Sequence, residues 1–134
     1  MLKEIEFKKV EEMGIAIIPD SVEDKNTTWT AYFLNMSEQE LTGVIINSFG
    51  HGEINGVKKK TSTLRWFLGD VESDSFTKIE DISTDLVDFS NEFWVSFFIG
   101  NQIYDKKYVF VKGSICFENL TTLPYFFEKG ILIK

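Results

Sequence analysis

The sequence predicts an all-β sandwich or barrel, with eight or nine antiparallel strands in a single domain spanning 1–134. Three observations predict it. Short apolar–polar alternations recur along the chain between turn signals. Apolar residues make up 43% of the 134 residues and prolines number only two, which excludes a disordered chain. Helical spacing at Ile79, Ile82, Leu86 and Phe89 adds no more than one short helical turn to that pattern.

Ile5 and Phe7 alternate with Glu4, Glu6 and Lys8, a pattern of a first strand. Gly14 to Ile18 is a second run, stopped by Pro19-Asp20, and the polar segment from Asp20 to Asn26 reads as loop. In Thr28 to Leu34 the residues Trp29, Ala31 and Phe33 share one face. Asn35 to Gln39 then reverses the chain.

Asn55-Gly56 closes a long hairpin, because a type I′ turn needs positive φ at both central residues. A two-residue loop pairs Ile54 with Val57, Glu53 with Lys58 and Ile45 with Trp66. One side then carries Ile45, Phe49, Leu64, Trp66 and Leu68, the expected core face. Val44, Ile46, Arg65 and Phe67 share the other side. A bulge near Gly50 or Gly52 would shift this register by one residue.

Phe76 to Ile82 reads as a strand, followed by a turn of helix near Thr84 to Phe89. In Phe93 to Ile99, Phe93, Val95, Phe97 and Ile99 face one way and Trp94, Ser96 and Phe98 the other. In Tyr108 to Phe117, Val109, Val111, Ile115 and Phe117 are expected to enter the core. Tyr108, Phe110, Lys112, Ser114 and Cys116 take the opposite face. Asn101 to Lys107 joins the two strands as a hairpin loop. The apolar end, Tyr125 to Ile133, is suited to docking on the sandwich.

Charge is distributed unevenly. Asp70 to Glu92 holds eight acids and one base, Lys78, and so carries the whole net charge of −7. That balance disfavours nucleic acid and anionic membranes as partners, since phosphates demand clustered Lys and Arg. One cysteine, Cys116, excludes an internal disulfide and fits a reducing, cytoplasmic location. No apolar run resembles a signal peptide or a membrane span.

Residues with reactive chemistry are few. His51 and Cys116 are the only histidine and cysteine, lie on different strands, and have no third group to orient them. Gly50-His51-Gly52 resembles part of a phosphate loop but precedes no helix. Lys58-Lys59-Lys60 alternates faces and reads as a solvated arm. Asp70 to Ser75 places acids at alternate positions, as a calcium loop does. Ser75 occupies the position that needs glycine, and Asp81 replaces the bidentate glutamate. Glycoside chemistry by paired carboxylates has no support in spacing alone. No catalytic, cofactor-binding or metal-binding residue is assigned, and no cofactor is expected.

The stronger signal is aromatic. With Val95, Phe97, Val109 and Val111 turned inward, Trp94, Phe98, Tyr108 and Phe110 cluster on an outward face. Such a patch marks an interface, with a protein partner or a second copy in a homodimer. The competing arrangement has the amino-terminal segment or Tyr125 to Ile133 covering it. Asp81, Asp85 and Asp88 are expected to form the patch's acidic border.

From Gly14 onward the chain resembles the β-sandwich module of a bacterial family of unknown function, in which that module precedes an Smr domain. The resemblance rests on Tyr32-Phe33-Leu34-Asn35, Thr77-Lys78-Ile79, Asp85-Leu86, Val95-Ser96-Phe97-Phe98-Ile99 and Tyr125-Phe126-Phe127-Glu128 with Ile131-Leu132. It implies an immunoglobulin-like sandwich with a role in assembly or protein contacts. No Smr motif follows, so no nuclease activity is implied. The functional expectation is a noncatalytic cytosolic interaction module. The alternative is a small-ligand-binding sandwich or an enzyme with an aromatic-lined pocket between the sheets.

Overall fold

A computed structural model describes residues 12–134. The strand expected at Ile5 and Phe7 lies outside the described residues. Nine strands form two antiparallel sheets: β1 Met13–Pro19, β2 Trp29–Asn35, β3 Leu41–Ile54, β4 Val57–Lys60, β5 Leu64–Val71, β6 Ser75–Ile82, β7 Ser90–Ile99, β8 Gln102–Phe110 and β9 Ile131–Ile133. A helical turn, α1 Thr84–Val87, and a 3-10 turn, Phe117–Asn119, complete the elements among the described residues.

One sheet has the order β6-β2-β1-β9. The other runs β4-β3-β7-β8, with β5 continuing beside β3 on the flank where β4 lies. Apart from β9, this is the strand order of an immunoglobulin-type sandwich, with β3, β7 and β8 side by side and β6, β2 and β1 opposite. One core joins both sheets: Met13, Ile15, Ile17, Ala31 and Phe33 from the first meet Val44, Ile46, Phe93, Val95 and Phe97 from the second. Trp29, Ala31 and Phe33 share the core face, as their spacing requires.

Every position of β1 is buried, so both faces of its sheet are covered. The outer cover is the segment after the 3-10 turn. Leu123 packs on Ala16, Ile18 and Leu34, with Phe126 joining Tyr32. The Tyr125 hydroxyl donates towards Asp74 at 3.2 Å and reaches the Asn35 carbonyl at 3.4 Å. Asn35 is itself fully buried; its amide donates to the carbonyls of Gln39 (2.8 Å) and Glu72 (2.9 Å), and its oxygen accepts from Ser37. That one side chain ties the β2–β3 turn to the end of β5.

The Asn55-Gly56 turn closes as expected, with φ of 54° and 78°, and pairs Ile54 with Val57 and Glu53 with Lys58. Further along, the expected register fails by one residue. Trp66 pairs with Ile46, and Ile45 pairs with Phe67. The slip occurs where Thr61 to Thr63 separate β4 from β5. Opposite that break, the Thr61 amide donates to the Gly50 carbonyl, while the Gly50 amide turns to the Thr61 hydroxyl, each at 2.8 Å. Trp66 and Leu68 pack on the core as expected, but β3 presents Val44 and Ile46 to it. Ile45 and Phe49 therefore face outward, and Leu64 lies exposed at the sandwich margin. A one-residue slip exchanges every face in a strand.

The last hairpin also departs from expectation. Gly100, at φ of 60°, permits a two-residue turn, so Ile99 pairs with Gln102 and the segment expected to be loop is strand β8. Phe93 faces Tyr108 and Asn91 faces Phe110 in this register. Tyr108 and Phe110 must then share the inward face of Phe93, and both are buried, while Val111 is exposed. The chain leaves the sheet after Phe110; of the expected core residues beyond it, Ile115 is buried in the core and Phe117 packs half-buried against it.

Candidate functional site

The two sheets treat their outer faces differently. The β6-β2-β1-β9 face lies under Leu123 and Phe126. Among the described residues nothing comparable covers the outer face of the β4/β5-β3-β7-β8 sheet, where Phe67 is 72% exposed, Trp94 49%, Phe98 39% and Ile103 51%.

Register sets these side chains in rows. Arg65, Asn47, Trp94 and Lys107 lie abreast on β5, β3, β7 and β8. The next row is Phe67, Ile45, Ser96 and Asp105, and beyond it Thr42, Phe98 and Ile103. On the other side of Trp94 come Phe49, Glu92 and Val109. Gly43, at φ of 60°, lets β3 bulge between Thr42 and Ile45, with the Phe98 ring against it.

Trp94 is held from several directions. Its indole N–H donates to Glu92 Oε1 at 3.0 Å, and Phe49 meets its ring edge-on at 6.0 Å. The Lys107 ammonium lies 5.6 Å from the Trp94 ring centre, and the Lys60 ammonium 4.4 Å from that of Phe49. Arg65 donates through Nε to Asn47 Oδ1 at 3.1 Å. His51 Nε2 lies 2.7 Å from Glu92 Oε2. Burial acts to raise the Glu92 pKa, but the bonds from Trp94 and His51, aided by the His51 and Lys107 charges, hold the carboxyl below its ordinary value. A shallow depression of about 330 Å³ beside Trp94 is bounded by Asn47, Ser96, Asp105 and Lys107.

The expected aromatic face is thus half correct in its residues. Trp94 and Phe98 are on it, whereas Tyr108 and Phe110 are corrected to the core. The acidic border is corrected as well. Asp81 belongs to β6 of the other sheet, where it pairs with Lys78 at 3.1 Å and accepts from Thr30 at 3.3 Å. Asp85 sits in α1, and Asp88 lines a separate cleft with Lys25, Trp29 and Cys116. The charges beside the exposed rings are chiefly cationic. Phe67 lies off the core, opposite Trp66 as the alternation indicates, but sequence alone did not join it to this face. Ile103 was missed because the β8 start was misplaced, and its alternation with Tyr104 is the signal that finds it.

A second feature lies between the sheets. Glu80, on β6, points inward towards Ser48 and Trp66 across the gap. Burial raises its pKa, hydrogen bonds from Ser48 and Trp66 act against this, and Asp81 adds to the rise. Ser48 also accepts from the Trp66 indole at 3.2 Å. A cavity of about 200 Å³ opens here beneath Thr61 and Ser62, with Glu80, Asn91 and Leu86 on its walls.

Other candidates disperse. His51 is engaged by Glu92, and Cys116 lies by the separate cleft, so the two form no nucleophile pair. The Asp70 to Ser75 stretch runs from the end of β5 through the turn into β6, with Asp74 held by Tyr125 and Ser75 donating to the Glu72 carbonyl. Among the described residues no three His, Cys, Asp or Glu side chains converge as metal ligands. No helix among them is long and apolar enough to cross a membrane. No family model matches the chain, and no curated protein matches it.

Proposed function

We propose that this protein is a noncatalytic interaction module that docks a protein partner on the outer face of its five-stranded sheet. The observation that carries the reading is the asymmetry between faces. Among the described residues, Leu123 and Phe126 cover one outer face, while Phe67, Trp94, Phe98 and Ile103 lie open on the other. Large exposed side chains grouped on one sheet are the composition of an interface. The unpaired Cys116 fits a cytoplasmic setting. The resemblance to the β-sandwich module that precedes Smr domains agrees with a contact role.

Nuclear magnetic resonance of the full chain with cell extract from its own source tests this. Broadening confined to Trp94, Phe98 and Ile103, abolished by Trp94→Ala with Phe98→Ala, is the expected result. Broadening centred on the Leu123 and Phe126 side would overturn it. Sedimentation at micromolar concentration separates a homodimer from a heterologous partner.

A second reading has one specific observation behind it. The cavity at Glu80 has a carboxyl and the Ser48 hydroxyl on its walls between the sheets, polar groups of the kind a small-ligand site uses. A small-molecule screen read by melting temperature checks it. Hits that Glu80→Gln abolishes would favour this reading over docking.

A further inference from the structure

The partner's charge follows from where the cations sit, given that the outer sheet face is the docking surface. We infer that this face takes an acidic polypeptide segment carrying apolar side chains, rather than a second copy of the chain. Lys107 lies against Trp94, Lys60 lies against Phe49, and Arg65 stands in the same row as Trp94. Of the carboxylates on that face, Glu92 is occupied by His51 and the Trp94 indole, Asp105 stands at the rim of the depression, and Glu53 lies further along β3, abreast of Lys58. A locally cationic aromatic surface therefore sits on a chain of net charge −7.

Two copies meeting face to face would set two cation-flanked ring surfaces against each other, with two net negative bodies behind them. An acidic segment meets the cations directly, and its apolar side chains cover Phe67, Trp94 and Phe98. Single-stranded nucleic acid offers negative charge and stacking bases as well. Asp105 in the depression and the −7 overall charge stand against a polyphosphate backbone there.

The test uses the full chain and four probes: a peptide alternating Glu with Phe and Leu, its Lys counterpart, a Glu–Ser peptide of equal charge, and oligouridine. Binding is read from the Trp94 indole N–H and Ile103 methyl resonances. The acidic apolar peptide is expected to bind at least about tenfold more tightly than the others, and more weakly as salt rises. Lys107→Glu and Arg65→Glu are expected to lower its affinity about tenfold, while Lys129→Glu leaves it unchanged. Equal or tighter binding of the Lys peptide or oligouridine at these resonances overturns the acidic partner and leaves the docking face standing. A dimer dissociated by Trp94→Glu does the same. If none of the probes shifts these resonances and no dimer forms, both the partner class and the docking reading fall.

Discussion

His51 and Glu92 meet at 2.7 Å across neighbouring strands, and the second oxygen of the same carboxylate accepts the Trp94 indole at 3.0 Å. The orientation of the Trp94 ring on the open face is therefore tied to a carboxylate whose ionised form the site favours. Its lowered pKa gives this contribution a definite sign. The stabilisation is complete above the ordinary glutamate range and is lost as pH falls through the depressed value. Titrating the Trp94 indole N–H resonance is expected to show a transition on the acid side of an ordinary glutamate. Glu92→Gln is expected to remove that transition and leave the fold intact.

Glu80 has the opposite sign. Its folded-state pKa is raised, so stability declines as pH rises from the ordinary glutamate value through the raised one. Above the raised value the cost of the buried charge is fully present. Glu80→Gln keeps an acceptor for Ser48 and Trp66 and is expected to raise the melting temperature at pH 7 by about 2 °C. Below pH about 4 that gain is expected to vanish, because the native carboxyl is then protonated in both states. Calorimetry across pH checks both parts.

Phe93 and Trp94 are adjacent on β7 and point to opposite sides, 1% and 49% exposed. Phe93→Ala is expected to cost about 3–5 kcal/mol by opening the core. Trp94→Ala is expected to cost no more than about 1 kcal/mol. Urea denaturation of the two variants checks the alternation directly.

The Tyr108 hydroxyl is buried and has no hydrogen-bond partner among the described residues. Burial also pushes its pKa well upward. Tyr108→Phe removes the desolvated group without opening a cavity and is expected to stabilise the protein by about 1 kcal/mol. Loss of stability on denaturation would instead show that the hydroxyl has a partner in solution.

Local patterns placed most elements correctly. The alternation in Trp29, Ala31 and Phe33, the Asn-Gly turn and the helical spacing before Phe89 each name an element from neighbouring residues alone. The errors arose where register depends on a distant contact. Thr61 takes the pairing of Gly50 and slips β5 by one residue against β3. Gly100 turns more tightly than the Asn101 to Lys107 composition indicated, which carries Tyr108 and Phe110 inward. Half of the candidate site changed with that one turn.

Composition and alternation by themselves determined an all-β chain, its Asn55-Gly56 turn, and that β7 has one face for Phe93, Val95 and Phe97 and another for Trp94 and Phe98. A period of two divides a strand into faces, but core burial of a face depends on pairing with strands far away in sequence. Only the tertiary structure decided that the acids at Asp81, Asp85 and Asp88 sit away from the open rings, because β6 pairs with β2 in the opposite sheet. Only it decided which outer face stays open. That depends on a contact such as Tyr125 with Asn35, whose partners lie 90 residues apart and meet only in the folded chain.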